Sequence, residues 1–311
     1  MALAADALWQ AGAAAIEERE TATRVLLVAG VAPGADIGPL VAAVRDRWPA
    51  EVAAADVDGA LDAWRAFARP VSVGRRLRVR PPWVPAGRRV AGVEVLIDPG
   101  RAFGSGAHAS TRLTLAAIER LVRGGERVLD AGCGSGVLGV AALALGAAEA
   151  VGVDRDPDAV AASRANADRN GVGDRLTATG RPLDEVVTAG PPFDLVAANL
   201  LLPDLLAVAP ALRAALQAER IGTQVGTEQY GICTVSRGRT ARPPGNADHR
   251  SPRRRAYPRR HLAAGGSLVV SGILVGQRPP VMEAAARLGL VPLGEEAAEG
   301  WLALTFTRRP G

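Results

Sequence analysis

The stretch Val-Leu-Asp-Ala-Gly-Cys-Gly-Ser-Gly at 128–136, followed by Ala-Val-Gly-Val-Asp at 150–154, decides how the rest of this chain is read. A short apolar run that ends in an acid and passes into alternating glycines predicts a buried parallel strand turning sharply into a helix. Gly132, Gly134 and Gly136 permit positive φ and leave no side chain between the main chain and a ligand. The helix from about Val137 then offers the N–H groups of its first turn. Asp154, which closes the next strand, can accept from both hydroxyls of a ribose. This pairing predicts a nucleoside cofactor site, against the plainer alternative of a glycine-rich turn in some other α/β protein.

Glycine spacing chooses among cofactors. A dinucleotide fingerprint, G-x-G-x-x-G, needs a third glycine where Val137 stands, and no G-x-x-x-x-G-K-[ST] loop is present. The pattern is D-x-G-x-G-x-G, with Asp130 two residues before the first glycine. A carboxylate there suits a cationic ligand group better than a pyrophosphate, since like charges repel at close range. S-adenosylmethionine, with an ammonium, a sulfonium and a ribose, fits. Asp130, Gly132, Gly134, Gly136 and Asp154 are therefore its expected contacts.

Regular alternation continues outward from this turn. Strands are predicted over 127–132, 148–154, 176–179, 193–200 and 266–273, and helices from about 112, to about 145, and over 157–170, 204–217 and 280–288. The segments 289–294 and 301–307 read as a closing antiparallel hairpin. This order predicts an α/β fold, a mostly parallel, doubly wound Rossmann-like sheet. Ligands in such sheets sit beyond the carboxyl ends of the strands, where Asp130, Asp154 and Asn199 fall.

Upstream, a helix over 3–12, strands over 14–18 and 24–29 and a helix over 37–47, stopped by Trp48-Pro49, predict a small α+β domain at 1–58. Residues 59–92 read as a linker, with strand-like 77–80, and 93–311 as the large domain, which opens with a strand over 93–97. Trp64, Phe67 and Trp83 are read as linker packing, with substrate contact as the alternative.

With 311 residues, 48% of them hydrophobic, the chain can bury a large core. Neither a signal peptide nor a membrane span is expected, and the protein is placed in the cytoplasm. Cys133 and Cys233 make neither a disulfide framework nor a metal cluster, so no metal is expected. The net charge of +5 is unevenly held: residues 219–261 carry ten arginines against Glu219, Glu228 and Asp248, a surplus of +7 that leaves −2 elsewhere. This arginine-rich island, with little to bury, is expected to be a disordered insertion.

The segment Asp-Pro-Gly-Arg-Ala-Phe-Gly-Ser-Gly-Ala-His-Ala-Ser-Thr at 98–111 has two glycine turns before a helix that Ser110 or Thr111 could cap. Together with the glycine turn, Asp-Arg-Asp-Pro, Ala-Asn-Leu-Leu, Leu-Val-Val-Ser-Gly-Ile-Leu, and Trp64, Phe67 and Gly-Arg-Arg at 74–76, it resembles the PrmA family of bacterial ribosomal protein L11 methyltransferases. The likeness runs from about Leu8 to Arg308, apart from the island. It implies an N-terminal substrate-recognition domain, a linker and a class I methyltransferase domain, with Thr111, Gly132, Asp154 and Asn199 on S-adenosylmethionine. It also implies the substrate, lysine ε-amines and the N-terminal α-amine of L11.

Three departures stand out. Ala107 and Ala109 replace the family's threonine and proline, the chain begins at the helix that follows the family's first strand, and the island is extra. Methyl transfer to an amine requires in-line alignment of a neutral nitrogen and exclusion of water. Asn199 is the expected positioning side chain, because an amide accepts from an amine without holding it as a cation. His108 reads as a structural hydrogen-bonder, with general base as the alternative. Competing functions are methylation of RNA or a small molecule, or a non-catalytic cofactor binder whose arginines give weak, salt-sensitive RNA contact.

Overall fold

The computed structural model describes residues 4, 7–8, 11–13, 15–20, 25–31, 36–52, 65, 68–87, 92–216, 254–256 and 266–308. The chain divides into two compact units, Met1–Asp62 and Ala63–Gly311. In the small unit β1 (Ala15–Glu20) and β2 (Val25–Gly30) pair antiparallel, Ala15 opposite Gly30. Strict alternation along β2 leaves Leu26 and Val28 exposed and turns Leu27 and Ala29 toward a small core of Leu8, Ala13, Leu40 and Val44. Leu40 and Val44 lie one turn apart on α1 (Gly38–Arg45), whose first turn carries proline. Of the helix expected over 3–12, Ala4, Ala7 and Leu8 are helical; most of it lies outside the described residues.

The large unit is built on β6 (Arg127–Ala131), β7 (Glu149–Val153), β8 (Leu176–Thr179), β9 (Leu195–Asn199), β11 (Ser267–Leu274), β12 (Leu290–Ala298) and β13 (Trp301–Arg308), with β10 (Arg254–Ala256) at one edge. Their order is β10-β12-β13-β11-β9-β6-β7-β8. The five strands from β11 to β8 are parallel, and β13, β12 and β10 run antiparallel to their neighbours. From β6 the chain builds outward to β8, then returns to the other side of β6 as β9, leaving a crevice where the winding reverses.

Helices cover both faces. Val128 and Leu129 go to opposite cores, as period-two alternation requires. On one face lie α2 (Ala109–Leu121), α3 (Val137–Ala144) and α4 (Pro157–Arg169); on the other lie α5 (Leu183–Ala189), α6 (Leu202–Ala215) and α7 (Arg278–Arg287). This is the expected doubly wound α/β sheet with its C-terminal antiparallel hairpin.

Two boundaries differ from the sequence reading. Most of the expected linker belongs to the large unit: β3 (Val71–Val73) pairs with β4 (Leu77–Arg80), which pairs with β5 (Val93–Leu96), and Val73, Leu77 and Val79 are buried in the core. β3 is only three residues long, and β4 hides its arginines by pairing Arg78 and Arg80 with Glu94, so neither strand announces a core position. Trp83 is partly exposed, its indole N–H on the Arg65 carbonyl at 3.1 Å; Trp64 and Phe67 lie outside the described residues. Within the island, Arg254, Arg255 and Ala256 pair with Glu296, Glu295 and Gly294 of β12. These three residues form a strand where no structure was expected, at an otherwise open sheet edge; the rest of 219–261, with Cys233, lies outside the described residues.

Candidate active site

The glycine turn follows β6. Gly132, Gly134 and Gly136 have φ of 73°, 51° and 78°. A Cβ on Gly132 would lie 2.3 Å from Leu200 Cδ2, one on Gly134 2.5 Å from the Phe103 carbonyl oxygen, and one on Gly136 2.4 Å from Ser163 Oγ. Each glycine is thus required by backbone conformation and by the protein's own packing, beyond any ligand. The turn is tied to β7, where the Val153 carbonyl accepts from Gly132 and Cys133 N–H at 2.8 and 3.1 Å.

Asp154, half-buried just past β7, receives Gly134 N–H on Oδ2 at 2.9 Å and Asp156 N–H on Oδ1 at 3.0 Å. A carboxylate has about four lone-pair sites, so acceptor capacity is left for a diol. Asp130 differs from the expectation of a group facing a cation. It is fully buried at the base of α3, with Oδ2 accepting Gly139 N–H at 3.1 Å and Oδ1 without a partner. Burial raises its pKa to about 8, opposed by the Gly139 hydrogen bond and reinforced by the Asp154 charge. Ser135 Oγ receives Val137 N–H, so two donors of the first turn of α3 are satisfied internally, whereas the sequence reading left them for a ligand.

Across the crevice, Asn199 ends β9. Its Nδ2 donates to Thr111 Oγ1 at 3.2 Å, while its Oδ1 is buried and unpartnered. Thr111 is fully buried in the first turn of α2. That helix is capped by His108, not by Ser110 or Thr111: His108 Nδ1 accepts Ser110 N–H at 3.3 Å and lies 2.8 Å from Ser110 Oγ. Burial lowers the His108 pKa, with Arg112 adding to the effect. Its ring packs edge-on against Trp301 and Phe103, centroids 4.6 and 5.5 Å away. Cys133 is a buried thiol whose pKa burial pushes up, which leaves it inert. Among the described residues no group of His, Cys, Asp or Glu could hold a metal ion, and no helix is long and apolar enough to cross a membrane.

The loop 98–108 is fastened onto the glycine turn by residues that motif reading missed. The Phe103 carbonyl accepts Ser135 N–H at 2.8 Å and the Gly104 carbonyl accepts Ser135 Oγ–H at 2.6 Å. On α4, Asn166 bonds both backbone groups of Asp98, at 3.0 and 2.8 Å, and the Ser135 carbonyl at 2.9 Å. Asn170, one turn later, bonds both backbone groups of Leu96, each at 2.8 Å. Two asparagines four residues apart on a helix were the available signal. A bulge in β11 was equally legible from Gly272 inside an apolar run: with φ 82°, its Cβ position lies 2.4 Å from the Leu200 carbonyl oxygen, so Leu200 lies directly against it.

Strand order, glycine turn, the acid after β7 and the polar residue ending β9 define a class I methyltransferase fold. Residues 50–226 match the family model described as ribosomal protein L11 methyltransferase (PrmA), and the chain belongs to that family. It is 36% identical over 283 residues to the ribosomal protein L11 methyltransferase of Chromohalobacter salexigens, covering 87% of this chain and 77% of that one. Identity to the Symbiobacterium thermophilum relative is 34%, over 78% of this chain but 63% of the relative, less than two thirds of its length. The crystal structure of a ribosomal protein L11 methylase from Lactobacillus delbrueckii subsp. bulgaricus superposes with a TM-score of 0.57 at 24% identity, covering 77% of this chain and 98% of that one, a likeness of fold.

Proposed function

We propose that this protein transfers methyl groups from S-adenosylmethionine to lysine ε-amines and the N-terminal α-amine of ribosomal protein L11, in the cytoplasm. One observation carries the amine chemistry: Asn199 gives its N–H to Thr111 and keeps a buried carbonyl oxygen without a donor. A buried acceptor left unpaired is costly, so an incoming N–H that reaches it gains a hydrogen bond. A neutral amine supplies one.

The residues fit the cofactor. Asp154 retains acceptor capacity for ribose hydroxyls and the glycine turn lets the chain approach closely, while Asp130, buried at the base of α3, serves the turn itself through Gly139. When bound, S-adenosylmethionine supplies a methyl group on a sulfonium centre, open to in-line displacement. Gly132, Gly134, Gly136 and Thr111 shape the pocket, and Asn199 aligns the amine. The exposed Phe103 and Leu201 offer apolar surface that displaces water and favours the neutral amine. Burial lowers the His108 pKa and its Nδ1 is engaged at the helix cap, so no base role is assigned.

All 37 basic residues of the chain are arginine, so the protein offers no lysine of its own and the acceptor lysine must come from another molecule. The test is incubation of purified protein with S-adenosylmethionine and ribosomal protein L11, read by intact mass. Whole-methyl increments on L11 are expected, with Asn199→Ala slowing them by about a hundredfold. Absence of methylation by the parent protein, or full activity in the variant, contradicts this reading.

A further inference from the structure

The turn between β12 and β13 places Glu299 at φ 52° and Gly300 at φ 80°, and Glu299 is the one non-glycine residue with positive φ among the described residues. Two-residue hairpin turns of this kind ordinarily take Asn-Gly or Gly-Gly, and a glutamate in the left-handed region persists only where its surroundings hold it. Its side chain is 68% exposed, and exposed ion pairs contribute little to stability. Folding alone therefore gives no reason for a glutamate here.

Its contacts give one. Glu299 Oε1 meets Arg112 Nη2 at 2.5 Å, and Arg112 Nη1 donates to the Ala107 carbonyl at 2.7 Å. Trp301, two residues on, packs edge-on against the His108 ring, which packs against Phe103. The Gly300 carbonyl accepts Val275 N–H at 2.9 Å, fixing the tip beside the end of β11. The tip thus grips the 103–112 segment twice, through charge at Arg112, which in turn holds the Ala107 carbonyl, and through rings at His108. That segment carries Thr111, the partner of Asn199.

We propose that residues 299–301 are a positioning element for the amine-aligning pair, holding the 103–112 segment so that Thr111 and Asn199 meet in register. Glu299 and Arg112 act through the Ala107 carbonyl, Trp301 acts through His108, and neither route requires contact with substrate. This inference rests on the proposed methyl transfer for its kinetic readout and on hydrogen exchange for an independent one.

The decisive variant is Glu299→Gly, which relieves the backbone strain while removing the carboxylate. Its melting temperature is expected to equal or exceed that of the parent, while kcat for L11 methylation falls roughly tenfold and KM for S-adenosylmethionine holds. Amides of 103–112 should exchange faster by about tenfold, with those of β6 and β7 unchanged. Arg112→Gln should reproduce the kinetic loss, and the double variant should add nothing further. Unchanged exchange in 103–112, unchanged kcat, or a kcat loss that follows a loss of melting temperature would each overturn the proposal. Should the parent fail to methylate L11, the proposed function fails, and exchange alone then decides whether the tip holds the segment.

Discussion

Asp154 already meets two backbone N–H groups, from Gly134 and Asp156, so its carboxylate is fixed before any ligand arrives. Losing hydrogen bonds to a charged group costs about 1.5–3 kcal/mol, and Asp154→Ala should weaken S-adenosylmethionine binding by that amount in calorimetry. Asp130 reports on pH instead. Burial raises its pKa from 3.8 to about 8, so between those values the folded protein keeps a proton that the unfolded chain releases. Its contribution to stability is therefore full below about pH 4 and is lost as pH rises through 8. Denaturant midpoints of the parent should fall over this range more steeply than those of Asp130→Asn; equal slopes would show that the carboxyl ionises normally.

At the scale of elements, Gly74 and Glu119 form a lock between the β3–β4 turn and α2. The Glu119 carboxylate accepts Arg75 and Arg76 N–H, and a Cβ on Gly74 would lie 1.5 Å from Glu119 Oε2. Glu119→Ala is expected to cost about 2–4 kcal/mol by leaving these donors unpaired, measured by urea unfolding. Added to Gly74→Ala it should cost less than the sum, because the two substitutions share one clash. The Gly-Arg-Arg motif was visible in the sequence, but its partner, 43 residues from Arg76, was not. The central strands and helices were legible because apolar runs, glycines and Asp-Pro mark their ends; most begin and end within two residues of expectation. The short strand β3 and the helix α5 were missed because they are short: α5 spans seven residues, and its stripe of Leu183, Val186 and Val187 is only partly buried against the second core. The glycine turn and the acid after β7 were equally plain, whereas the inward engagement of Asp130 and the cap by His108 depend on contacts that only the folded chain makes.

For the whole molecule, the boundary at Asp62/Ala63 sets where the chain can be divided. A form beginning at Ala63 should keep S-adenosylmethionine binding and lose methylation of L11 if the small unit selects the substrate; a start at Val93 would strip β3 and β4 from the core. Equal methylation by the Ala63 form and the full chain would contradict that division of roles. Joining Gln217 to Leu262 through a short Gly-Ser link removes β10, three residues at a sheet edge, and should leave fold and methylation intact; if the arginines anchor RNA, the deletion should abolish that binding and flatten its dependence on salt. A large loss of methylation with the fold preserved would make the island part of the enzyme.

The winding of the sheet also has a consequence in time. On a ribosome, β6, β7 and β8 emerge in order and pair with immediate neighbours, so half of the crevice can assemble while the remainder is still being synthesised. β9 next seats beside β6, but β11 reaches β9 only after the whole intervening chain has been made. Closing a loop costs only about 0.6 kcal/mol per doubling of its length, so the island slows the final docking modestly and leaves the earlier steps untouched. The Thr111–Asn199 pair can form as soon as β9 is seated; the hairpin that steadies it is made only afterwards.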